Sequence, residues 1–150
     1  MPGEWQQNDR YVTDDEIAYR RVRMIPEHYQ PVDPVSGLPQ ILNAALRYED
    51  DGMSVYLDQF MEYESVSVDQ LFSDETHAIS RFEVHHARQH GAGILPSTDH
   101  ADPNEARGRS HGLVRTAAPP PDKDRWKVLR NELRKRMSIR SSADTWSPVV

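Results

Sequence analysis

Two kinds of hydrophobic spacing divide the chain into short strands and short helices. Alternation predicts strands, and it is clear in IAYRRVR, where Ala18, Arg20 and Val22 share one face and Tyr19 lies on the other. MSVYL and HGLVRT also predict strands, ILP predicts an extended piece, and SRFEV predicts a strand or the lead into a helical turn. The predicted extended segments are therefore 17–23, 53–57, 80–84, 94–96 and 111–116.

Apolar residues three or four positions apart predict the helices. Ser67 and Gln70 form a capping-box pattern ahead of such residues, which predicts a helix at about 67–77. Residues 41–48 predict a short helix with Ile41 and Tyr48 on one side. From about 124 to 139 the spacing predicts a basic amphipathic helix, whose apolar stripe is Trp126, Leu129, Leu133 and Met137.

Proline-rich and polar segments separate these elements. Residues 24–40 hold four prolines and a glycine, and residues 97–110 are polar, so both predict loops. AAPPPDKD predicts a linker of polyproline character. The prediction is a small single α+β domain with four or five short strands, one or two short helices and a C-terminal amphipathic basic helix. Its parts are a flexible tail at 1–15, a core at 16–117, the linker and helix at 118–140, and a tail at 141–150.

The charges are distributed unevenly over the 150 residues. Residues 123–140 hold eight basic and two acidic residues, net +6, whereas the remainder holds 10 basic and 22 acidic residues, net −12. The chain has no cysteine, which excludes disulfides, thiolate metal sites and cysteine nucleophiles. It shows no signal-peptide pattern and no apolar run long enough to span a membrane, so we expect a cytoplasmic protein without membrane contact.

The segment FEVHHARQHGAGIL raises the question of a metal site. His86 and His90 share a face on a helix or a strand, and a third zinc ligand would come from His100, His111, Asp99 or Asp102. The HExxH pattern is missing, because Ala87 follows His86. The alternative is a polar surface on which His90 lies near a helix C-terminus. We expect no cofactor, with zinc at His86 and His90 as the alternative.

His111 and three arginines are the remaining candidates for chemistry. His111 begins a strand beside Arg109 and Ser110, where it is a candidate general base, or it hydrogen-bonds a loop carbonyl. Arg20, Arg21 and Arg109 are candidate anion ligands because arginine contacts phosphate in bidentate fashion. Surface salt bridges with the many acids are the alternative for these arginines.

The C-terminal helix leaves three interpretations open. Its stripe packs on its own domain, docks in a groove of a partner, or the helix lies along nucleic acid with its cations on phosphates. The residues predicted to bind a partner are Trp126, Leu129, Leu133, Met137, Arg130, Arg134 and Arg136.

Three segments together, AYRRVRMIPEHYQPVDPVSGLPQ…MSVYLDQ, GAGILPSTDHADPNEARGRSHGLVRT and LRKRMSIRSSADTW, resemble a set of small bacterial proteins over residues 19–146. The resemblance implies a bacterial cytoplasmic protein with one compact domain, and it implies no mechanism. One departure is Asn43-Ala44-Ala45-Leu46, where that set has Ser-Ser-Ala-Ala-Phe. Any role of those serines would therefore be absent here.

No catalytic constellation in the sequence is complete, so the leading hypothesis is a non-enzymatic accessory or subunit protein. It would bind another protein through the C-terminal helix and the proline-rich loop at 26–39. The alternatives are an enzyme or binding domain for a phosphorylated or nucleotide ligand, and nucleic-acid binding by residues 123–140. The sequence predicts no oligomeric state.

Overall fold

An antiparallel sheet organises the chain. The computed structural model describes residues 5–31, 33–49, 51–72, 76–98, 101–117, 123–141 and 145–149. In this part of the chain the strands are β1 (Ile17–Arg23), β2 (Tyr29–Gln30), β3 (Gln40–Ile41), β4 (Met53–Leu57), β5 (His77–Glu83), β6 (Gly93–Pro96), β7 (His111–Arg115), β8 (Ser138–Arg140) and β9 (Ser147–Pro148). Seven of them form one sheet in the order β6-β7-β4-β1-β5-β8-β9, and β2 pairs with β3.

Helical segments cover both faces of this sheet. Those described are α1 (Asp58–Tyr63), α2 (Val84–Gln89), α3 (Ala106–Arg109) and α4 (Lys123–Arg134), with 3-10 turns at Asn43–Ala45 and Val68–Phe72. The larger core lies on one face, where α2, α4 and the Asn43–Ala45 turn bury residues such as Ala18, Val22 and Leu133. The smaller core lies on the opposite face and contains Tyr19, Met61 and Ile79.

The alternation along β1 explains why the sheet has two buried faces. Ala18 pairs with Phe82, and both belong to the larger core, whereas Tyr19 belongs to the smaller one. Since successive side chains on a strand point to opposite faces, one strand supplies both cores. Arg20 follows Tyr19 and therefore extends into the larger core.

The α+β class is confirmed, and the sheet has more strands than predicted. Strands at 17–23 and 53–57 lie where alternation predicts them, and β7 ends one residue before the predicted end. The segment at 80–84, predicted as a strand or as the lead into a helical turn, contains both: β5 runs to Glu83, and α2 begins at Val84. The predicted loop at 97–110 contains α3.

Three helix predictions needed correction. The helix predicted at 67–77 is a 3-10 turn at Val68–Phe72, and β5 already begins at His77. The helix predicted at 41–48 shortens to a 3-10 turn, because Ile41 belongs to β3. Helix α4 ends at Arg134, because residues 138–140 pair with β5 as strand β8. Met137 is still buried in the turn between them.

Both predicted tails contact the sheet where they are described. Trp5 Nε1 donates to the Thr116 carbonyl at 2.9 Å, and the Asp9 amide donates to the Ile94 carbonyl at 2.7 Å. Strand β9 pairs with β8, and the Trp146 ring lies 6.2 Å from the Tyr19 ring. The predicted domain boundaries stay predictions, and most of the proline-rich linker, at 118–122, lies outside the described residues. Among the described residues, no helix is both long and apolar enough to cross a membrane.

Candidate functional site

The apolar stripe of α4 is buried in its own domain. Trp126, Leu129, Leu133 and Met137 are all below 7% exposed and belong to the larger core. The Trp126 Nε1 atom donates to the Leu46 carbonyl at 3.2 Å, and the ring meets Tyr48 edge-on with 4.8 Å between centroids. Packing on its own domain, the first of the three interpretations of this helix, is therefore the observed arrangement. The outer face of α4 is the part of the helix that remains accessible to another molecule.

Arg134 forms hydrogen bonds that connect the C-terminal end of α4 to the Asn43–Ala45 turn and to Ile41, which precedes it. Its Nη1 atom donates to Asn43 Oδ1 at 2.6 Å and to the Ile41 carbonyl at 3.2 Å. Burial, and after it the charge of Arg130, lowers the pKa of Arg134. Together with the Trp126 bond, these contacts set the rotation of α4 about its axis.

A row of cations lies beside the buried stripe. Lys123, Lys127, Arg130 and Arg134 follow one another at spacings of four, three and four residues, so they share one face of the helix. At a rise of about 1.5 Å per residue this row is about 16 Å long. Its first three members face the segment that carries the Asn43–Ala45 turn, and a pocket lies between them.

This cationic pocket has a volume of about 530 Å³. Its basic side chains come from four places in the chain: Arg23 from the end of β1, His28 from the turn before β2, Arg47 from the residues after the 3-10 turn, and Lys123, Lys127 and Arg130 from α4. Asn43, Ala44, Tyr48 and Trp126 supply the rest of the lining, and among the described residues no carboxylate does. The pocket therefore combines five permanent cations with a neutral, partly aromatic floor.

The positive charges in and under the pocket are only partly compensated. Arg130 is half-buried, and its Nε atom has no hydrogen-bond partner within the described residues. The pKa of His28 is lowered by burial first and then by Arg23 and Arg20, so its imidazole is mainly neutral at pH 7. Arg47 makes a 3.7 Å ion pair with Glu49, and both side chains are exposed. Exposed pairs of this kind are worth about 1 kcal/mol or less.

His111 occupies a structural position. It is 3% exposed, and its Nδ1 atom donates to the Ser97 carbonyl at 2.7 Å. Its ring meets Tyr56 edge-on at 5.8 Å between centroids. Hydrogen bonding to a loop carbonyl, the alternative to the general base, is thus the contact that the fold provides for this ring.

The three predicted anion-binding arginines do not converge. Arg20 is half-buried on the face of the larger core, where Nε donates to the Ala45 carbonyl and Nη1 to the Ser54 carbonyl, each at 2.7 Å. Burial lowers the pKa of Arg20 to about 10, so it keeps its charge at pH 7. Arg21, on the other face of β1, donates to His77 Nδ1 at 3.2 Å, and Arg109 donates to Glu64 Oε2 at 3.0 Å. Each guanidinium thus has protein partners in a different place.

The histidine segment brings together a different pair from the one predicted. Glu83, His85 and His86 each place a ligand atom within 4.8 Å of the others, and His90 is outside this group. Of the other predicted zinc ligands, Asp99 and His100 lie outside the described residues. Asp102 accepts the Asn104 amide at 2.9 Å, and His111 is buried as described above.

Sequence reasoning identified the basic helix but missed the other wall of the cationic pocket. Arg23 ends the predicted strand at 17–23, His28 lies in the predicted proline-rich loop, and Arg47 lies in the predicted helix at 41–48, so no single periodic pattern links the three. Their signal is only that basic residues flank the proline-rich loop on both sides. The antiparallel pairing of β2 with β3 reverses the direction of the chain and brings these residues close together.

We compared the chain with protein-family models, with curated proteins and with solved structures, and none of them matched. We therefore infer a function from the geometry of the described residues.

Proposed function

We propose that this protein is a binding domain for a phosphorylated small molecule, which it takes up in the cationic pocket. The observation that carries the proposal is the concentration of five arginine and lysine side chains around one pocket in a chain of net charge −6. A cavity of this size is in the range of small-molecule sites. We assign no catalytic step to the pocket.

The composition of the pocket favours phosphate over other anions. Arginine contacts phosphate oxygens in bidentate fashion, and lysine adds a compact charge that adjusts to the anion. The Nε–H group of Arg130 is buried and has no protein partner among the described residues, so a phosphate oxygen would satisfy it once the guanidinium turned toward the pocket. The neutral His28 imidazole can donate one further hydrogen bond.

Mutual repulsion among the cations is a second argument for an anionic ligand. Burial is the main cause of the lowered pKa values of Arg134 and His28, and smaller contributions come from the charge of Arg130 at Arg134 and from Arg23 and Arg20 at His28. These smaller contributions reflect a positive potential in and beside the pocket. A phosphate group would be attracted by this potential, and its charge would relieve the repulsion.

A phosphate-bearing macromolecule is the second candidate, and the row of cations along α4 favours it. A row about 16 Å long can reach several phosphates of a nucleic acid. The acidic remainder of the chain would repel such a polymer, which is why we place the small molecule first. The accessory-protein hypothesis stays a prediction, in which the exposed face of α4 would contact the partner.

The test is calorimetric titration with pyrophosphate, nucleotides, sugar phosphates and a short oligonucleotide. The variant is Arg130→Gln, and the matched control is Lys135→Gln, which removes one charge from an exposed position of the same segment outside the pocket. We expect at least one phosphorylated small molecule to bind. Arg130→Gln should weaken it about tenfold or more, as is typical of a lost charged hydrogen bond, while Lys135→Gln leaves it unchanged.

The outcomes separate the candidates. Binding of the oligonucleotide alone, with an affinity that falls steeply with salt, would replace the small molecule by nucleic acid. If no phosphorylated compound binds, or if both variants lose affinity equally, the cationic pocket is not a phosphate site. Inorganic sulfate serves as a further control, because equal binding of sulfate and all phosphates would indicate general attraction of anions.

A further inference from the structure

The junction between β5 and α2 places two imidazoles and a carboxylate side by side. Strand β5 ends at Glu83, and α2 begins with Val84, so His85 and His86 lie in its first turn. The Nε2 atom of His85 is 3.1 Å from Oε2 of Glu83, and the two imidazole centroids are 3.8 Å apart. One ligand atom from each residue lies within 4.8 Å of the other two.

We propose that Glu83, His85 and His86 form a binding site for a divalent transition-metal ion of the Zn²⁺ class. Two nitrogen ligands and one carboxylate oxygen are a set that zinc accepts, with water at the fourth position. The site is separate from the cationic pocket and does not depend on the proposed function.

The distances fit a metal ion with little rearrangement. Bonds of about 2.1 Å to a tetrahedral zinc ion place ligand atoms about 3.4 Å from one another. The hydrogen-bonded atoms His85 Nε2 and Glu83 Oε2 are 3.1 Å apart, which is close to this value, and a zinc ion would replace the proton between them. Rotation of the His86 side chain would have to shorten its distances from at most 4.8 Å. Both imidazoles are half-buried and Glu83 is exposed, so an ion can reach the site and keep a water ligand.

The neighbourhood of the site holds both supporting and opposing groups. A hydrogen bond between the side chains of Gln89 and His86 can orient the His86 ring. Arg136 opposes binding, because its charge lies near His86 and both residues line the same pocket. We therefore expect Arg136→Gln to tighten metal binding.

The experiment is titration of the chelator-treated full chain with ZnCl2, followed by calorimetry. The variants are His86→Ala and Glu83→Gln. The matched control is His90→Ala, which removes an exposed histidine at the end of α2, outside the three-residue group. We expect one Zn²⁺ ion per chain at this site. Each variant should weaken it at least tenfold, since loss of an orienting neighbour alone commonly costs 10- to 100-fold. His90→Ala should bind as the parent does.

Two further measurements distinguish a built site from scattered histidines. CoCl2 should give the visible absorption of cobalt with nitrogen and oxygen ligands, and His86→Ala should abolish it. MgCl2 should not displace zinc, because Mg²⁺ prefers oxygen ligands. Equal zinc affinity in His86→Ala and His90→Ala, or displacement by MgCl2, would overturn the proposal. Circular dichroism of each variant checks that the fold is kept.

Discussion

Replacing Leu133 with alanine tests the packing of α4 on the sheet. Leu133 is fully buried in the larger core and occupies the middle of the α4 stripe. The substitution removes three carbon atoms, worth about 2.4 kcal/mol of transfer free energy at about 0.8 kcal/mol for each. The cavity that remains adds to this loss. We therefore expect the free energy of unfolding to fall by about 3 kcal/mol.

The control for this change is Val128→Ala on the same helix. Val128 is 62% exposed, so its truncation removes little buried surface. Alanine also has a better helix propensity than valine, by about 0.5 kcal/mol. The control should leave the free energy of unfolding unchanged or raise it slightly, and the two variants should differ by about 3 kcal/mol.

Urea unfolding followed by circular dichroism measures both free energies, and a thermal scan gives a second value. For a chain of this length, Leu133→Ala should lower Tm by roughly 10 °C, at about 2–4 °C per kcal/mol. A loss below about 0.5 kcal/mol, similar to that of an ordinary surface substitution, would refute the packing of α4 on the sheet. The stripe would then again be free to contact a partner.

Three other substitutions address the sheet and its loops. Arg20→Met leaves the two main-chain carbonyls that Arg20 binds without their donors, so urea unfolding should show a loss of about 2–4 kcal/mol. Burial raises the pKa of the Glu16 carboxyl above its ordinary value of 4.5. The protonated carboxyl therefore stabilises the fold below pH 4.5, and this contribution is lost as the pH rises through the folded-state pKa. Glu16→Gln should flatten the dependence of the free energy of unfolding on pH in this window, as measured by urea unfolding. In Gly108→Ala the new Cβ atom would overlap the Asp102 carbonyl oxygen, so the thermal scan should show a clear drop in Tm, and an unchanged Tm would contradict this close approach.

The elements that the sequence predicted well are those in which local pattern and tertiary contact agree. In β1 and β4 the alternation of side chains matches the two faces of the sheet, so the bounds can be derived from the chain alone. The stripe of α4 was equally visible, because burial on one side imposes the helical period. What the stripe packs against is a long-range contact, between Trp126 and Leu46, and no periodicity encodes it.

The three helix errors have one physical cause, which is competition from strand pairing. Met137 continues the helical spacing of α4, but Ile139 pairs across to Ser80 of β5 and ends the helix. The apolar residues after Ser67 likewise suit a helix, yet His77 pairs with Arg23 as the start of β5. Hydrogen bonds to a distant strand outweigh propensities that differ by less than 1 kcal/mol per residue.

The candidate sites were predictable only where their residues are neighbours in sequence. The histidine segment drew attention to a metal site, but the helical period favoured His86 with His90. Helix α2 begins only at Val84, so Glu83 lies at the strand end and His85 in the first turn beside it. The ligand group therefore forms across an element boundary, which a periodic pattern does not describe. The cationic pocket was even harder to predict from the sequence, because its walls come from both halves of the chain.

Stability and ligand affinity should separate in this fold, because α4 carries two different stripes. The apolar residues Trp126, Leu129 and Leu133 are buried, and each is followed at the next position by a cation of the neighbouring face: Lys127, Arg130 and Arg134. Successive residues are about 100° apart on a helix, so burial of one stripe determines where the other points. Leu133→Ala should keep that rotation, since Trp126 and Arg134 still bind the Leu46 and Ile41 carbonyls. It should therefore bind phosphate ligands with the parental Kd while it unfolds more easily, and saturating ligand should raise its Tm. A weakened Kd would mean that the cationic pocket depends on the packing beneath it and not on the two hydrogen bonds.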